Sequence, residues 1–91
     1  MKIKLFATYR DIAKSKELDL PVQEAGTIRR LLNLLIEQIP EFQDELFTET
    51  EQLKPYIHIF VNGRNIIHLQ GLETTFSTND EIALIPPVGG G

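Results

Sequence analysis

The stretch that most limits what this chain can become runs from Ile28 to Ile39. Ile28, Leu31, Leu32, Leu35, Ile36 and Ile39 fall at i, i+3, i+4, i+7, i+8 and i+11, one continuous stripe on a 3.6-residue period. Thr27 stands where an N-cap belongs, its hydroxyl able to accept from an orphan backbone N–H, and Pro40 ends the element. Arg29 and Arg30 crowd the first turn, near the positive end of the helix dipole, at a cost of a few tenths of a kcal/mol. Leu34 lies off the stripe and is free to meet a following segment. A helix that is apolar along one stripe must lay it against something. Elsewhere the chain offers mainly two-residue alternation, the mark of strands with one buried face.

Lys2 to Thr8 alternates, with Ile3, Leu5 and Ala7 on one face and Lys2, Lys4, Phe6 and Thr8 on the other. Tyr9 to Ser15 is polar and reads as a turn, with at most one helical turn over Asp11 to Ala13. Glu17 to Leu20 alternates again and stops at Pro21, so two early strands form a hairpin with a long connection. After the helix, Phe42 and Leu46 are spaced for a short helix or turn beside the first, and Thr48 to Lys54 is an acidic, exposed loop. Tyr56 to Val61 is a strong strand, with Ile57, Ile59 and Val61 facing in and Tyr56, His58 and Phe60 facing out. Asn62-Gly63 is the best short hairpin signal present, and Arg64 to Leu69 returns as a short strand. Gly71 to Asn79 is a turn-rich crossover into a last strand, Ile82 to Ile85.

The resulting order is β-β-α-β-β-β. It predicts an α+β fold of the β-grasp (ubiquitin-like) kind, a mixed sheet of four to five strands with one main helix across one face. The first and last strands would lie parallel at its centre, joined by a long crossover. Residues 1–85 form this single domain, and residues 86–91 form a tail.

Chemistry is sparse. Cysteine is absent, which removes disulfides, thiolate metal sites and cysteine nucleophiles, and suits a reducing, cytoplasmic setting. Nine basic against thirteen acidic residues give a net charge of −4, which argues against a phosphate-backbone partner. No apolar run approaches the ~20 residues that cross a bilayer, so no membrane partner is expected. His58 and His68 stand ten residues apart in strand segments without a second ligand cluster, so surface histidines are the better account. No phosphate loop, nucleophile elbow or zinc signature occurs, so no bound cofactor and no metal are expected.

What remains is the ending, Pro86-Pro87-Val88-Gly89-Gly90-Gly91. The proline pair fixes φ and can continue neither ladder nor helix. The glycines carry no Cβ and make a thread thin enough for a tunnel that side chains could not enter. By elimination, the one group in an unusual chemical setting is the α-carboxylate of Gly91. An unactivated carboxylate has no good leaving group, and joining it to AMP supplies one. This chain shows no nucleotide site, so an activating enzyme must provide ATP and the transition-state stabilisation.

This ending resembles that of the small subunits of molybdopterin synthase, in the ubiquitin-like sulfur-carrier family. The likeness extends to Lys4-Leu5-Phe6-Ala7 with Arg10 after it, the helix led by Thr27, Val61-Asn62-Gly63, and Asn79-Asp80-Glu81-Ile82-Ala83. It implies adenylation at the terminal glycine by a ubiquitin-activating-type adenylyltransferase, with acyl-adenylate and thiocarboxylate as transient forms. The sulfur would then pass to a pterin precursor inside the synthase large subunit, with Pro86, Pro87, Val88, Gly89 and Gly90 in that partner's tunnel. The family stops at two glycines where this chain has three, so the reactive residue is Gly91, or Gly90 if Gly91 is trimmed. The thiamin-pathway carrier is a more distant fit, because it usually lacks both a segment like Glu41–Lys54 and the double proline. A protein modifier, joined to lysines through the same glycine, remains an open alternative, as does a β-grasp adaptor that only binds.

If Ile3, Leu5, Ile57, Ile59, Val61, Ile82 and Leu84 face the helix, alternation places Phe6, Phe60 and Ile85 on the opposite face, near the base of the tail. A cluster of large apolar side chains on a polar face predicts a partner patch there.

Overall fold

The computed structural model describes residues 1–87. The chain runs β1 (Lys2–Leu5), α1 (Thr8–Ala13), β2 (Glu17–Asp19), β3 (Gly26–Thr27), α2 (Ile28–Gln38), α3 (Phe42–Leu46), β4 (His58–Val61), β5 (Arg64–Asn65), β6 (Thr75–Phe76) and β7 (Ile82–Ile85), with 3-10 turns at Ile66–His68 and Gly71–Glu73. Five strands form one mixed sheet in the order β2-β1-β7-β4-β5, and β3 pairs with β6 in a small separate ribbon. β1 and β7 are parallel, Ile3 level with Ile82 and Leu5 with Leu84, while β4 runs antiparallel to β7, Ile59 level with Leu84. This is the β-grasp arrangement, with the first and last strands paired at its heart.

The sheet turns Ile3, Leu5, Ile59, Val61, Ile82 and Leu84 toward α2, which returns Ile28, Leu31, Leu32 and Leu35, all of them buried. Burying each such side chain contributes about 1.5–3 kcal/mol, so this two-layer contact dominates the fold. Thr27 caps α2 as its sequence position requires, its side chain accepting from the Arg30 backbone N–H at 3.3 Å. Ile36 and Ile39, at the far end of the stripe, are only partly buried against the core.

Several elements differ from the sequence expectation. Residues 9–15 are not merely a polar turn. Thr8–Ala13 is a helix, and it buries Tyr9 completely while Ile12 and Ala13 pack partly on the core, the i, i+3, i+4 face of a short amphipathic turn. The strand expected from Tyr56 begins only at His58, because Tyr56 takes φ 68° and is 78% exposed. The return strand expected over Arg64–Leu69 stops at Asn65. There the Asn65 side chain accepts from the Ile67 N–H at 3.1 Å and caps a 3-10 turn, so His68 does not lie in a strand. Within the expected crossover, Thr75–Phe76 pairs with Gly26–Thr27, and Ile28 N–H reaches Thr74 O at 2.9 Å. That ribbon ties the start of α2 to the crossover. The short helix or turn expected at Phe42 and Leu46 is, by contrast, present as the helix Phe42–Leu46, with both side chains fully buried beside the main helix α2.

The β1–α1 junction stores strain. Tyr9 N–H bonds Phe6 O at 3.1 Å, closing a four-residue turn whose second residue, Ala7, sits at φ 50°, ψ −129°. That is the mirror-image turn geometry that favours glycine. Ala7→Gly is expected to raise stability by about 1 kcal/mol, relief of the strained φ outweighing the greater freedom glycine brings to the unfolded chain. A lower denaturation midpoint for the variant would contradict this.

Candidate functional site

The tail is carried by the central strand. β7 ends at Ile85, Pro86 is buried and Pro87 is exposed. Val88, Gly89, Gly90 and Gly91, which include the expected reactive end, lie outside the described residues.

A latch at the other end of β7 sets its register. Asn62 and Gly63, at φ 52° and 81°, form the two-residue turn between β4 and β5. The Asn62 backbone N–H donates to Glu81 O at 2.8 Å, its side-chain oxygen accepts from Glu81 N–H at 2.8 Å, and its amide donates to Asp80 Oδ1 at 3.0 Å. Asp80 also accepts from the Ser77 backbone N–H at 2.8 Å. These bonds, led by that from Ser77, hold the Asp80 carboxyl below its usual range. The Asn62-Gly63 and Asp80-Glu81 segments of the sequence are thus two halves of one contact. Beside them Lys4 pairs with Glu81 at 2.8 Å, which holds the Lys4 ammonium above its ordinary value. Both groups are exposed, so this pair matters for alignment more than for stability.

Phe6, Phe60 and Ile85 are all half-buried. Phe60 pairs with Ala83 and Ile85 with His58, while Phe6 directly follows β1, whose last residue, Leu5, pairs with Leu84. Phe60 and Ile85 share a shallow depression of about 540 Å³ with His58, Gly63, Arg64, Asn65 and His68. Phe6 carries a companion that the sequence argument left unassigned. Arg10 donates through Nε to Leu5 O at 2.7 Å and holds its guanidinium 5.0 Å above the Phe6 ring. The signal for it was present in the four-residue spacing of Phe6 and Arg10 across the start of a helix. The His58 ring lies tilted 6.3 Å from that of Phe60, and its Nδ1 is 2.9 Å from the Asn65 amide nitrogen. The apolar side chains are therefore flanked by arginine and histidine in a chain of net charge −4.

Among the described residues, no group of three or more His, Cys, Asp or Glu side chains is placed to hold a metal ion, and no helix is long and apolar enough to cross a membrane. The arrangement has the chemistry of a presenter. The central strand of the sheet leads into Pro86 and Pro87, and side chains around them can meet another protein.

Comparisons with known proteins agree. Residues 3–91 match the sequence profile of the ThiS family. A provisionally named sulfur carrier protein of Archaeoglobus fulgidus is 37% identical over 68 residues, covering 75% of this chain and 77% of that one. The solution structure of small archaeal modifier protein 1 from Methanosarcina acetivorans superposes with a TM-score of 0.77 at 40% identity, covering 99% of this chain and 94% of that one. A provisionally named molybdopterin converting factor subunit 1 from Pyrococcus furiosus superposes with a TM-score of 0.73 at 25% identity, covering 96% and 95%. By its sequence, its sheet and its relatives, this chain belongs to the ThiS/MoaD-type family of ubiquitin-like sulfur carriers.

Proposed function

We propose that this chain is the sulfur-carrying small subunit of a molybdopterin synthase, working through a thiocarboxylate on its last glycine. The observation that carries the reading is the position of the ending. Pro86-Pro87-Val88-Gly89-Gly90-Gly91 follows directly in sequence from the central strand of a ubiquitin-like sheet. The Pyrococcus furiosus relative supports the pathway by its name.

The chemistry is simple to balance. The Gly91 carboxylate attacks the α-phosphorus of ATP in a ubiquitin-activating-type enzyme, and pyrophosphate leaves. A sulfur nucleophile then attacks the acyl carbon and AMP leaves, which puts sulfur where an oxygen was. In the synthase large subunit the thiocarboxylate sulfur bonds to the pterin precursor, and water then cleaves the acyl–sulfur bond, which leaves the sulfur on the precursor and restores the carrier's carboxylate. The carrier supplies the acyl group and its delivery, and its partners supply the catalytic groups. Direct use of Gly91 fits a tunnel lined for glycine, since one further residue adds only about 3.3–3.6 Å of thread and no side chain. The test is to incubate the chain with ATP, its cognate activating enzyme and a sulfur source and to record the intact mass. Exchange of one oxygen for sulfur is expected on the full chain. Its absence with a demonstrably active enzyme would sink the reading, and its appearance only on a chain one glycine shorter would move the reactive end to Gly90.

Phe6, Phe60 and Ile85, with Arg10 beside them, are the surface on which these partners dock in this reading. Phe60→Asp is expected to weaken binding of both the activating enzyme and the large subunit at least tenfold, because buried aromatic anchors dominate such interfaces. Unchanged affinity in a variant shown to be folded would place the interface elsewhere.

A second reading is favoured by the name of the Methanosarcina acetivorans relative, a modifier protein. The same adenylate, attacked by a lysine amine of another protein, gives an isopeptide bond and AMP. Gly-Gly-Gly remnants on lysines of digested cellular proteins would establish it.

A further inference from the structure

The depression that holds Phe60 and Ile85 has a one-sided polarity. Thirteen acidic residues against nine basic give the chain a net charge of −4, yet His58, Arg64 and His68 line this depression and no Asp or Glu does. Arg64 is exposed and forms no ion pair among the described residues. Its guanidinium carries five N–H donors and no acceptor.

The neighbouring amide fixes the polarity of His58 as well. Asn65 Oδ1 accepts from the Ile67 N–H at 3.1 Å, so the amide nitrogen is the atom turned to His58 Nδ1, 2.9 Å away. An amide nitrogen only donates, so Nδ1 accepts and the neutral ring carries its proton on Nε2. Reversing the amide would set its NH2 against the Ile67 N–H, and a proton on Nδ1 would set two donors face to face. Among the described residues, then, the unengaged polar groups of His58 and Arg64 are all donors. Both side chains are exposed, beside two half-buried apolar ones. Such a surface asks a partner for apolar cover together with an acceptor, and the Arg64 charge selects an anionic acceptor. A phosphate backbone would meet the same donors, but a chain of net charge −4 opposes a polyanion. Ile85 is followed at once by Pro86, so a protein that holds the ending comes up against this face.

We propose that Arg64 and the His58 Nε2–H receive a carboxylate side chain of the activating enzyme, set among apolar side chains that cover Phe60 and Ile85. The activating enzyme is the partner that the sulfur-carrier and modifier readings both require. This rests on the reading of the Phe60 face as its docking surface, and it names what the enzyme brings there. The apolar contact supplies area, while the ion pair fixes orientation and speeds encounter.

The full chain is titrated calorimetrically into the cognate activating enzyme beside Arg64→Gln, Arg64→Glu and Lys16→Gln, with denaturation midpoints measured for each. Lys16 is exposed and directly precedes β2, at the other edge of the sheet, so Lys16→Gln removes the same charge away from the depression. Arg64→Gln should bind about threefold to tenfold more weakly than the wild type, and Arg64→Glu more weakly still. Lys16→Gln should stay within about twofold. Added salt should weaken the wild-type complex more than the Arg64→Gln complex, which a merely structural role would not produce. The 15N resonances of the His58 ring in the free wild-type chain should show Nδ1 bare and Nε2 protonated. In Arg64→Lys, a carbodiimide should join the introduced amine to a carboxylate of the enzyme, a product the wild-type chain does not give. Wild-type affinity in Arg64→Gln would overturn the proposal. So would an equal loss in Lys16→Gln, a proton on Nδ1 of the neutral ring, or an Arg64→Lys complex that forms without that crosslink. If the wild-type chain neither binds the enzyme nor gains sulfur, the functional reading itself has failed. Sulfur gain with equal affinities overturns the carboxylate contact alone.

Discussion

A chain lacking Gly89, Gly90 and Gly91 is expected to lose thiocarboxylate formation completely while keeping its fold. The core is built from residues between Ile3 and Leu84, and the glycines follow it. Circular dichroism and the denaturation midpoint should therefore match those of the full chain. The intact mass after incubation with ATP, activating enzyme and sulfur source should not move. Binding to the partners should fall less steeply than activation, because Phe6, Phe60 and Ile85 remain. A truncated chain that still supported molybdoenzyme-dependent growth of a synthase-deficient strain would turn the argument toward an adaptor that only binds.

Phe42→Ala is expected to have the largest effect on stability. Phe42 is fully buried in α3 and packs edge-to-face on Tyr9, so truncation leaves a cavity in the core. Such changes cost about 3–5 kcal/mol. A domain of this size has only about 5–15 kcal/mol in total, so the melting temperature should fall by more than about 10 °C. A fall of only a few degrees would mean that the Glu41–Lys54 segment is an ornament on the fold. The structure instead makes it a wall of the core.

The long elements were legible in the sequence because their signals repeat. α2 announced itself through six apolar positions on one stripe, with Thr27 before and Pro40 after. The turn at Asn62-Gly63 was readable because its positive φ values need those residues. Short elements carry too few residues to show a period. α1 has six residues, and Tyr9, counted as polar, in fact supplies its core contact. β3 and β6 have two residues each and are held by their partners rather than by their own pattern. The extent of β5 was misjudged because a local hydrogen bond from Ile67 to Asn65 outcompetes the ladder. Of the candidate site, Phe60 and Ile85 share one depression, as residues of β4 and β7, whereas Phe6 follows the end of β1 and is not among the residues that line it. Arg10 over Phe6 depends on how α1 packs, which no local pattern encodes.

The pairing of β1 with β7 has a kinetic consequence. The two strands at the heart of the sheet are separated by nearly the whole chain, Ile3 lying beside Ile82. Contacts of such long sequence separation slow folding, because loop closure must be met before pairing rewards it. A chain still being synthesised can pair β1 with β2 but not with β7, and cannot complete its core until the last strand emerges. The strand that finishes the sheet is also the one that leads into Pro86, so the sheet closes only when the residues just before the ending have joined it. An activating enzyme that recognises the sheet together with the thread would thereby pass over immature chains, and no separate proofreading step would be needed.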